Sequence, residues 1–398
     1  MSSSNYLTPN YVQFVVKISK QCNLRCRYCY EYPYLGDSTR ISSQQLKRMF
    51  LNIASHFSQK ANIKIIDFIW HGGEPFLIEP EYYLSIKELQ NQVFNPEKIT
   101  VSNKVQTNLT SLNVNYITAL KNGLFDSIGI SLDLFGDDRV NIADKPVQEK
   151  VLDNMQKLVD ENIRFGCITV LSKKTFPYVD KIYNFFDEIN TPCRFLPIYR
   201  TGYEGQHDNN MLDNKQVISA LKIIFESWFS SVNAVEVDPI DNYINIALRF
   251  INSSTQKREF YDKEFSDTVF IVNTNGDVYS TDEVYSSELS YGNIFTNTFT
   301  EILNSNGYKQ AINRSRFKVD STCKKCKYYG LCNGYEMAEA TNEILYYNKE
   351  GHLKCSVVKP IVDYIVRRFK EENLIEELTY ENNNSDDMNN IAASVTNY

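Results

Sequence analysis

Residues 12–30, VQFVVKISKQCNLRCRYCY, decide the fold and the chemistry predicted for this chain. The first eight are mostly apolar and rich in β-branched residues, which predicts a buried strand. Cys22, Cys26 and Cys29 follow this strand directly. Three thiolates on one short loop can ligate three irons of a 4Fe–4S cubane and leave the fourth iron open.

An open iron indicates a particular chemistry. It can chelate the amino and carboxylate groups of S-adenosylmethionine (SAM), so that one electron breaks the sulfonium S–C bond and yields a 5′-deoxyadenosyl radical. A zinc site or a redox pair is the alternative. Zinc normally takes four ligands, and no fourth lies nearby in the sequence. Three residues separate the first two cysteines and two residues separate the last two, with Tyr28 directly before the third cysteine. This spacing favours the cluster.

Strand-like and helix-like segments alternate from residue 12 to about 233. Strands are predicted in the segments that begin at Val12, Lys64, Lys104, Ser127, Phe165 and Cys193. Amphipathic stretches such as SSQQLKRMFLNIASHF and VLDNMQKLVDEN lie between them. Six βα units predict an α/β fold, a partial (β/α)6 TIM barrel whose functional groups lie at the carboxyl ends of the strands.

The pattern changes after residue 233. A hairpin is predicted around Asn275-Gly276, followed by a cysteine-rich segment and a helix from Val357 to Glu372. The predicted organisation is an N-terminal tail (1–11), the partial barrel (12–233), an α+β domain that binds a metal or cluster (234–375) and a polar, disordered tail (376–398).

Composition excludes several classes of protein. The net charge of −7 gives no basic surface for nucleic acid, and no apolar run reaches membrane-spanning length. The N-terminus lacks a signal-peptide pattern, so we expect a cytoplasmic protein. Seven of the nine cysteines fall into two groups, which in a reducing compartment indicates ligation rather than disulfides. Cys167 and Cys193 stand apart in apolar strands and are expected to be buried packing residues.

The second cysteine group is near the C-terminus. Its members are Cys323, Cys326, Cys332 and Cys355. Four cysteines complete one site, which is either a zinc knuckle with four thiolate ligands or a fully ligated 4Fe–4S cluster. Spacing alone leaves both possibilities open.

Further motifs follow the predicted strands. The second strand ends in Trp70-His71-Gly72-Gly73-Glu74-Pro75, where glycines allow close approach to a ligand. With the first cysteine group, this motif resembles radical SAM enzymes with a C-terminal SPASM domain, in the peptide-modifying branch, over residues 12–372. The resemblance implies that Gly72, Gly73 and Glu74 contact the amino group of SAM, and that the second cysteine group holds an auxiliary 4Fe–4S cluster.

The resemblance extends to the next two strands. Gln106 and Asn108 match the family's polar patch, and Ser131 and Asp133 match its SAM-facing residues on the fourth strand. The following text, LFGDDRVNIADK, departs from the pattern of sulfatase-maturating enzymes and is more similar to enzymes that build three-residue cyclophanes. Arg139, in this stretch, is interpreted as pairing with a SAM carboxylate or a substrate acid, or as a solvated loop residue.

The family usually carries a second auxiliary cluster, whose ligands this chain lacks. Residues 260–266 contain no cysteine, and the other two ligand positions are Thr281 and Glu336. We therefore expect one auxiliary cluster and two clusters in total. Asp282 matches the family's base that removes a substrate proton, with Glu283 as an alternative and a turn-forming role as the other interpretation.

The resulting hypothesis is a peptide maturase. The adenosyl radical takes a hydrogen atom from a side chain of a bound precursor peptide, the carbon radical attacks a nearby aromatic ring, Asp282 takes a proton, and the auxiliary cluster takes an electron or only shapes the groove. Formylglycine formation on a sulfatase, thioether or epimer formation, and a non-enzymatic iron–sulfur or zinc-knuckle regulator remain as alternatives. The expected partners are the precursor peptide and an electron donor such as flavodoxin or ferredoxin. The peptide is expected to bind the barrel or the C-terminal domain, or to need a separate partner. Nucleic acid and membrane are not expected.

Overall fold

A computed structural model describes residues 6–198, 210–252, 257–280, 287–340 and 345–372. Its first six strands are β1 (Tyr11–Ser19), β2 (Ile65–Gly72), β3 (Thr100–Thr107), β4 (Ser127–Ser131), β5 (Gly166–Leu171) and β6 (Cys193–Pro197). Each pairs in parallel with the next along the chain. The predicted partial (β/α)6 barrel is therefore confirmed, with all six strands close to their predicted positions.

Helices connect these strands across the outer face of the sheet. They are α1 (Ser43–Phe57), α2 (Pro80–Val93), α3 (Val114–Lys121), α4 (Gln148–Asp160), α5 (Val179–Glu188) and α6 (Asn214–Phe229). α1 begins with a capping box in which Ser42 and Gln45 satisfy each other's backbone amides. Its buried residues recur at three- and four-residue spacing, so one face packs on the sheet.

The remaining elements form the C-terminal part. Its strands are β7 (Val237–Asp238), β8 (Val269–Val272), β9 (Asp277–Tyr279), β10 (Gly292–Asn293), β11 (Tyr346–Tyr347) and β12 (Leu353–Lys354). Its helices are α7 (Ile240–Ile251), α8 (Lys263–Ser266), α9 (Phe299–Leu303), α10 (Asn306–Thr322), α11 (Tyr335–Ala338) and α12 (Val358–Glu371). The predicted hairpin is β8–β9, where Gly276 has a φ of +93°, and the predicted last helix is α12.

One sheet crosses the predicted domain boundary at residue 233. Within the described residues its ten strands run in the order β10-β9-β8-β1-β2-β3-β4-β5-β6-β7. β8 pairs in parallel with β1, and β7 pairs in parallel with β6, so both edges of the barrel sheet are extended by the C-terminal part. The boundary stays a prediction, and the predicted disordered tail lies outside the described residues.

The two faces of the barrel strands differ in polarity. Phe14 faces the helices and is fully buried against the rings of Phe57, Phe68, Phe270 and Phe299. The alternate positions of the strands face the barrel interior and carry polar groups. There Asp67 on β2 accepts hydrogen bonds from Gln13 on β1 and Lys104 on β3 at 3.3 and 3.2 Å.

The two isolated cysteines lie where the sequence predicted. Cys167 on β5 and Cys193 on β6 are register partners and are 3% and 5% exposed. Both are free thiols. They are packing residues of the sheet, as expected. Among the described residues, no helix is both long and apolar enough to traverse a bilayer.

Replacement of Phe14 by alanine should destabilise the fold strongly, because this side chain joins β1, β2 and β8 to the helices α1 and α9. Deleting a fully buried phenylalanine costs about 3–5 kcal/mol. The measurement is the free energy of urea unfolding. Phe317→Ala is the matched control, since Phe317 is 62% exposed, and it should change the free energy by less than about 0.5 kcal/mol. Equal effects of the two substitutions would contradict this packing.

Replacement of His56 by glutamine should reduce the loss of stability in acid. His56 Nδ1 lies 2.8 Å from Oγ1 of Thr300 on α9. Burial at this position lowers the pKa of His56 to about 4. The unfolded chain, with a histidine pKa near 6.5, therefore binds the proton more readily, and stability falls as the pH drops from about 6.5 to 4, by at most about 1.4 kcal/mol per pH unit. Urea unfolding at several pH values should show a shallower slope in the variant than in the native chain, and parallel slopes would show that His56 is not the linked group.

Candidate active site

The loop that carries Cys22, Cys26 and Cys29 follows β1 at the carboxyl edge of the sheet. Backbone hydrogen bonds fix it against the segment after β4: Arg25 N–H donates to Val140 and Arg27 N–H donates to Asp138, at 2.7 and 2.9 Å. Cys29 N–H donates to the carbonyl of Cys26 at 3.0 Å, which turns the loop back on itself. The three predicted ligands are thus carried on one loop that is fixed at this edge of the sheet.

The three thiols lie in an environment that suits a cationic group. Burial raises the pKa of Cys22 to about 12, and it also raises the pKa of Cys26 and Cys29, with repulsion among the three sulfurs adding to the effect for Cys22 and Cys29. Thiolates at these positions therefore need a neighbouring positive charge. Iron supplies it, so the donor set fits the cluster predicted from the sequence.

Gly72 and Gly73 are required by close contact with the chain that enters this loop. A Cβ at Gly72 would lie 2.1 Å from the carbonyl oxygen of Ser19, and a Cβ at Gly73 would lie 2.1 Å from that of Gln21. In the native backbone, Gly73 N–H donates to Ser19 and Glu74 N–H donates to Gln21, both at 2.8 Å. The end of β2 therefore supports the chain immediately before Cys22.

Glu74 joins the ends of β2 and β3. Its carboxylate accepts hydrogen bonds from the Thr107 hydroxyl at 2.6 Å, from Asn108 N–H at 2.7 Å and from Phe76 N–H at 2.8 Å. Burial raises the pKa of Glu74 to about 6, against the lowering effect of these donors. The predicted SAM contact thus has an internal structural function as well.

Asn108 and Gln106 take different positions at the end of β3. Asn108 Nδ2 lies 3.0 Å from the side-chain oxygen of Asn23 and 3.8 Å from Cys22 Sγ, so it contacts the cysteine loop directly. Gln106 Nε2 donates to the Ser131 hydroxyl at 2.8 Å, across Gly129 on β4. A Cβ at Gly129 would lie 2.0 Å from the Gln106 oxygen, so the glycine leaves space for this pair.

Asp133 is the centre of a buried network that the sequence did not reveal. Its Oδ1 accepts from Val170 N–H on β5 at 2.7 Å. Its Oδ2 accepts from the Tyr28 hydroxyl and from Arg139 Nε, the latter at 3.0 Å. Arg139 is not a solvated loop residue, since its side chain is only 13% exposed. Asp133 lies two residues after the end of β4, and no sequence signal identified Tyr28 as its partner.

The other residues beside the loop are also paired. Lys17 on β1 forms a buried ion pair with Glu31 and lies over the ring of Tyr30, 4.8 Å from its centroid. Burial lowers the pKa of the adjacent His71 to about 4, with the charge of Lys17 adding to the shift. The inner end of β1 and the cysteine loop are therefore joined by charge as well as by backbone contact.

The second cysteine group lines one cavity in the C-terminal part. Cys323, Cys326, Cys332 and Cys355 all face it, together with Glu336. Lys359 N–H, at the start of α12, donates to Cys355 Sγ at 3.3 Å. Burial raises the pKa of Cys332 to about 12 and that of Cys355 to about 11, so this donor set also suits a cationic group. In the described ranges no three Cys, His, Asp or Glu side chains are placed to share a single metal ion.

Ionisable side chains with hydrogen-bonding partners occupy two of the regions where the second auxiliary ligands are missing. Lys263, within residues 260–266, forms ion pairs with Asp267 at 3.0 Å and with Glu339 at 2.8 Å. Glu336 accepts hydrogen bonds from the Tyr243 hydroxyl at 3.0 Å and from Asn242 Nδ2 at 3.1 Å. Sequence analysis identified the missing cysteines but not these partners.

The candidate base is not located by the structure. Asp282, its alternative Glu283 and the neighbouring Thr281 lie in residues 281–286, outside the described residues. They follow β9 directly and precede β10.

Replacement of Gly73 by alanine should displace the cysteine loop, because the added Cβ would overlap the Gln21 carbonyl. We expect the anaerobically reconstituted variant to lose roughly half of the iron bound by the native chain, since one of two expected clusters would be affected. Gly36→Ala is the matched control. Gly36 lies after the three cysteines in the segment between β1 and α1, and a Cβ there would meet nothing within 4 Å. Native iron content in Gly73→Ala would show that this contact does not support the loop.

Comparison with known proteins finds a family match in each half of the chain. Residues 16–186 match the family model of the radical SAM superfamily, and residues 265–327 match that of the SPASM iron–sulfur cluster-binding domain. A cysteine-type anaerobic sulfatase-maturating enzyme of Clostridium novyi (strain NT) is 28% identical over 325 residues, which cover 79% of this chain and 84% of that enzyme. A serine-type enzyme of Bacteroides thetaiotaomicron is 24% identical over 349 residues and 83% of each chain.

Solved structures share the fold. Native anSMEcpe with bound AdoMet and Cp18Cys peptide superposes with a TM-score of 0.70 at 21% identity, over 92% of this chain and 99% of that one. Streptococcus suis SuiB bound to precursor peptide SuiA superposes with a TM-score of 0.56 at 13% identity, over 83% and 72% of the two chains.

Proposed function

Because this chain is a radical SAM enzyme with a C-terminal SPASM domain, we propose that it modifies a peptide by joining an aromatic residue to a nearby side-chain carbon. The observation that carries the proposal is the loop of Cys22, Cys26 and Cys29, held at the carboxyl edge of the barrel. A radical SAM domain binds a 4Fe–4S cluster and SAM, and a SPASM domain binds auxiliary iron–sulfur clusters. The cofactors of this enzyme are therefore SAM and iron–sulfur clusters in both domains.

The proposed ligands are the two cysteine groups. Cys22, Cys26 and Cys29 hold the SAM-binding cluster, and Cys323, Cys326, Cys332 and Cys355 hold the auxiliary one. With SAM bound, the first cluster supplies a 5′-deoxyadenosyl radical able to take a hydrogen atom from carbon.

The protein's own residues prepare the SAM pocket. Gly72 and Gly73 keep the backbone close to the cysteine loop, and Asn108 contacts Cys22 from the next strand. The proposed pocket is lined by Gly72, Gly73, Glu74, Gln106, Asn108, Ser131, Asp133 and Arg139. These residues come from the ends of three neighbouring strands and the segment after β4, which supports the proposal that they line one pocket.

The substrate is proposed to be a ribosomally made precursor peptide. The structures of anSMEcpe and SuiB that share this fold contain a Cp18Cys peptide and precursor peptide SuiA. Crosslinking is favoured over formylglycine formation by the residues after β4, which depart from the sulfatase-maturating pattern, and by the missing second set of auxiliary cysteines.

The crosslink balances as a two-electron oxidation. A C–H bond of a side chain and a C–H bond of an aromatic ring break, and one C–C bond forms. One hydrogen atom leaves from the side chain, and the ring then releases one proton and one electron. Asp282 is the proposed base for the proton. Cys323, Cys326, Cys332 and Cys355 would hold the group able to accept the electron, and flavodoxin or ferredoxin is the proposed donor for SAM cleavage.

Formylglycine formation is the second candidate. It is favoured by the 28% identity with the Clostridium novyi enzyme across 79% of this chain. The two reactions leave different products: a crosslink removes two hydrogens and keeps every heavy atom, whereas oxidation of a substrate cysteine to formylglycine exchanges sulfur for oxygen.

Anaerobic co-expression with a short precursor peptide encoded beside this gene tests the proposal. We expect the peptide to lose two hydrogens per crosslink and to give fragment ions that span the joined residues. Cys22→Ser should abolish the product, and Cys167→Ser, at a cysteine outside both groups, is the control. Formylglycine in a cysteine-containing sulfatase peptide, with no change in the precursor, would favour the second candidate. Full crosslinking by Cys323→Ala would exclude the auxiliary site as electron acceptor.

A further inference from the structure

A buried cation lies against one sulfur of the SAM-binding cysteine group. Arg139 NH1 is 4.0 Å from Cys26 Sγ, and its guanidinium lies over the ring of Tyr28, 5.7 Å from the centroid. An arginine stays protonated at any pH at which the protein is folded, so this position carries a permanent charge. The contact was not predicted from the sequence, where Arg139 was matched to a carboxylate ligand.

The position of the guanidinium is set from two directions. Asp133 Oδ2 accepts from Arg139 Nε at 3.0 Å. The backbone on either side of Arg139 is hydrogen-bonded to the cysteine loop, through Asp138 and Val140. The backbone bonds hold residue 139 beside the cysteine loop, and the bond to Asp133 fixes the orientation of its side chain.

The carboxylate of Asp133 also accepts hydrogen bonds from donors other than Arg139. Beside Arg139, Asp133 accepts from the Tyr28 hydroxyl, from Val170 N–H and from the Thr169 hydroxyl. NH1 of Arg139, by contrast, points toward the sulfur. A fixed positive charge therefore lies beside Cys26, next to the carboxylates of Asp133 and Asp138.

We propose that Arg139, positioned by Asp133, raises the reduction potential of the cluster held by Cys22, Cys26 and Cys29. A cluster gains one negative charge when it is reduced, and a nearby fixed cation stabilises that form. Burial makes the effect larger than that of an exposed charge, because water screens it less. The inference rests on the proposed assignment of these cysteines as ligands.

Redox titration of the reconstituted, SAM-free enzyme, followed by electron paramagnetic resonance, tests the inference. The SAM-binding cluster is identified as the one whose signal changes when SAM is added, and the auxiliary cluster serves as an internal reference. Arg139→Gln should lower the potential of the first cluster and leave the second unchanged. Arg139→Lys, which keeps the charge, should stay near the native value.

Two further variants separate charge from structure. Arg27→Gln removes an arginine from the same loop that is paired with the exposed Asp144, and it should leave the potential near the native value. Asp133→Asn keeps an acceptor for Arg139 but removes the counter-charge, so it should raise the potential and thus shift it in the opposite direction to Arg139→Gln. If Arg139→Gln does not fold, Arg139→Met, which also removes the charge, takes its place in the comparison.

The outcomes for the inference and for the ligand assignment are distinct. An unchanged potential in Arg139→Gln, an equal shift in Arg27→Gln, or a potential in Asp133→Asn at or below the native value would overturn the inference while the ligand assignment stands. A native chain in which no cluster signal responds to SAM would overturn the assignment itself, and the inference with it.

Discussion

The contact between the end of β2 and the chain entering the cysteine loop is the constraint on which the site depends. Two backbone segments meet there with no space for a side chain, since a Cβ added at Gly72 or Gly73 would lie 2.1 Å from a carbonyl oxygen. Parallel strands bring their carboxyl ends to one edge, but the glycines determine how closely the loop follows that edge. The chain that leads into Cys22 takes its position from this contact.

The C-terminal part contains a cysteine-lined cavity and a set of buried ion pairs. Four cysteines of the C-terminal part line one cavity, while buried ion pairs occupy the region around Lys263. Buried charges are tolerated only when they are paired, and Asp267 and Glu339 satisfy Lys263 in this way. This part of the domain is therefore held by side-chain pairing, and the cysteine-lined cavity lies beside it.

Much of the fold was predictable because its signals are local. The six barrel strands and the hairpin at Asn275-Gly276 follow from runs of apolar residues and from turn residues, and the two cysteine groups were visible by spacing. The pairings of Tyr28 with Asp133 and of Lys263 with Glu339 were not predictable, since they join positions 105 and 76 residues apart. No periodicity records such contacts, and only the folded topology brings them together.

The parallel pairing of β8 with β1 has a consequence for synthesis. β1 leaves the ribosome well before its partner on one side, Val269–Val272, which emerges roughly 250 residues later. During that interval the growing chain presents an open, apolar strand edge, which is a template for wrong association. Pairing on that side consequently waits until β8 has been made, and nascent chains that stall before β8 keep this edge of the barrel open.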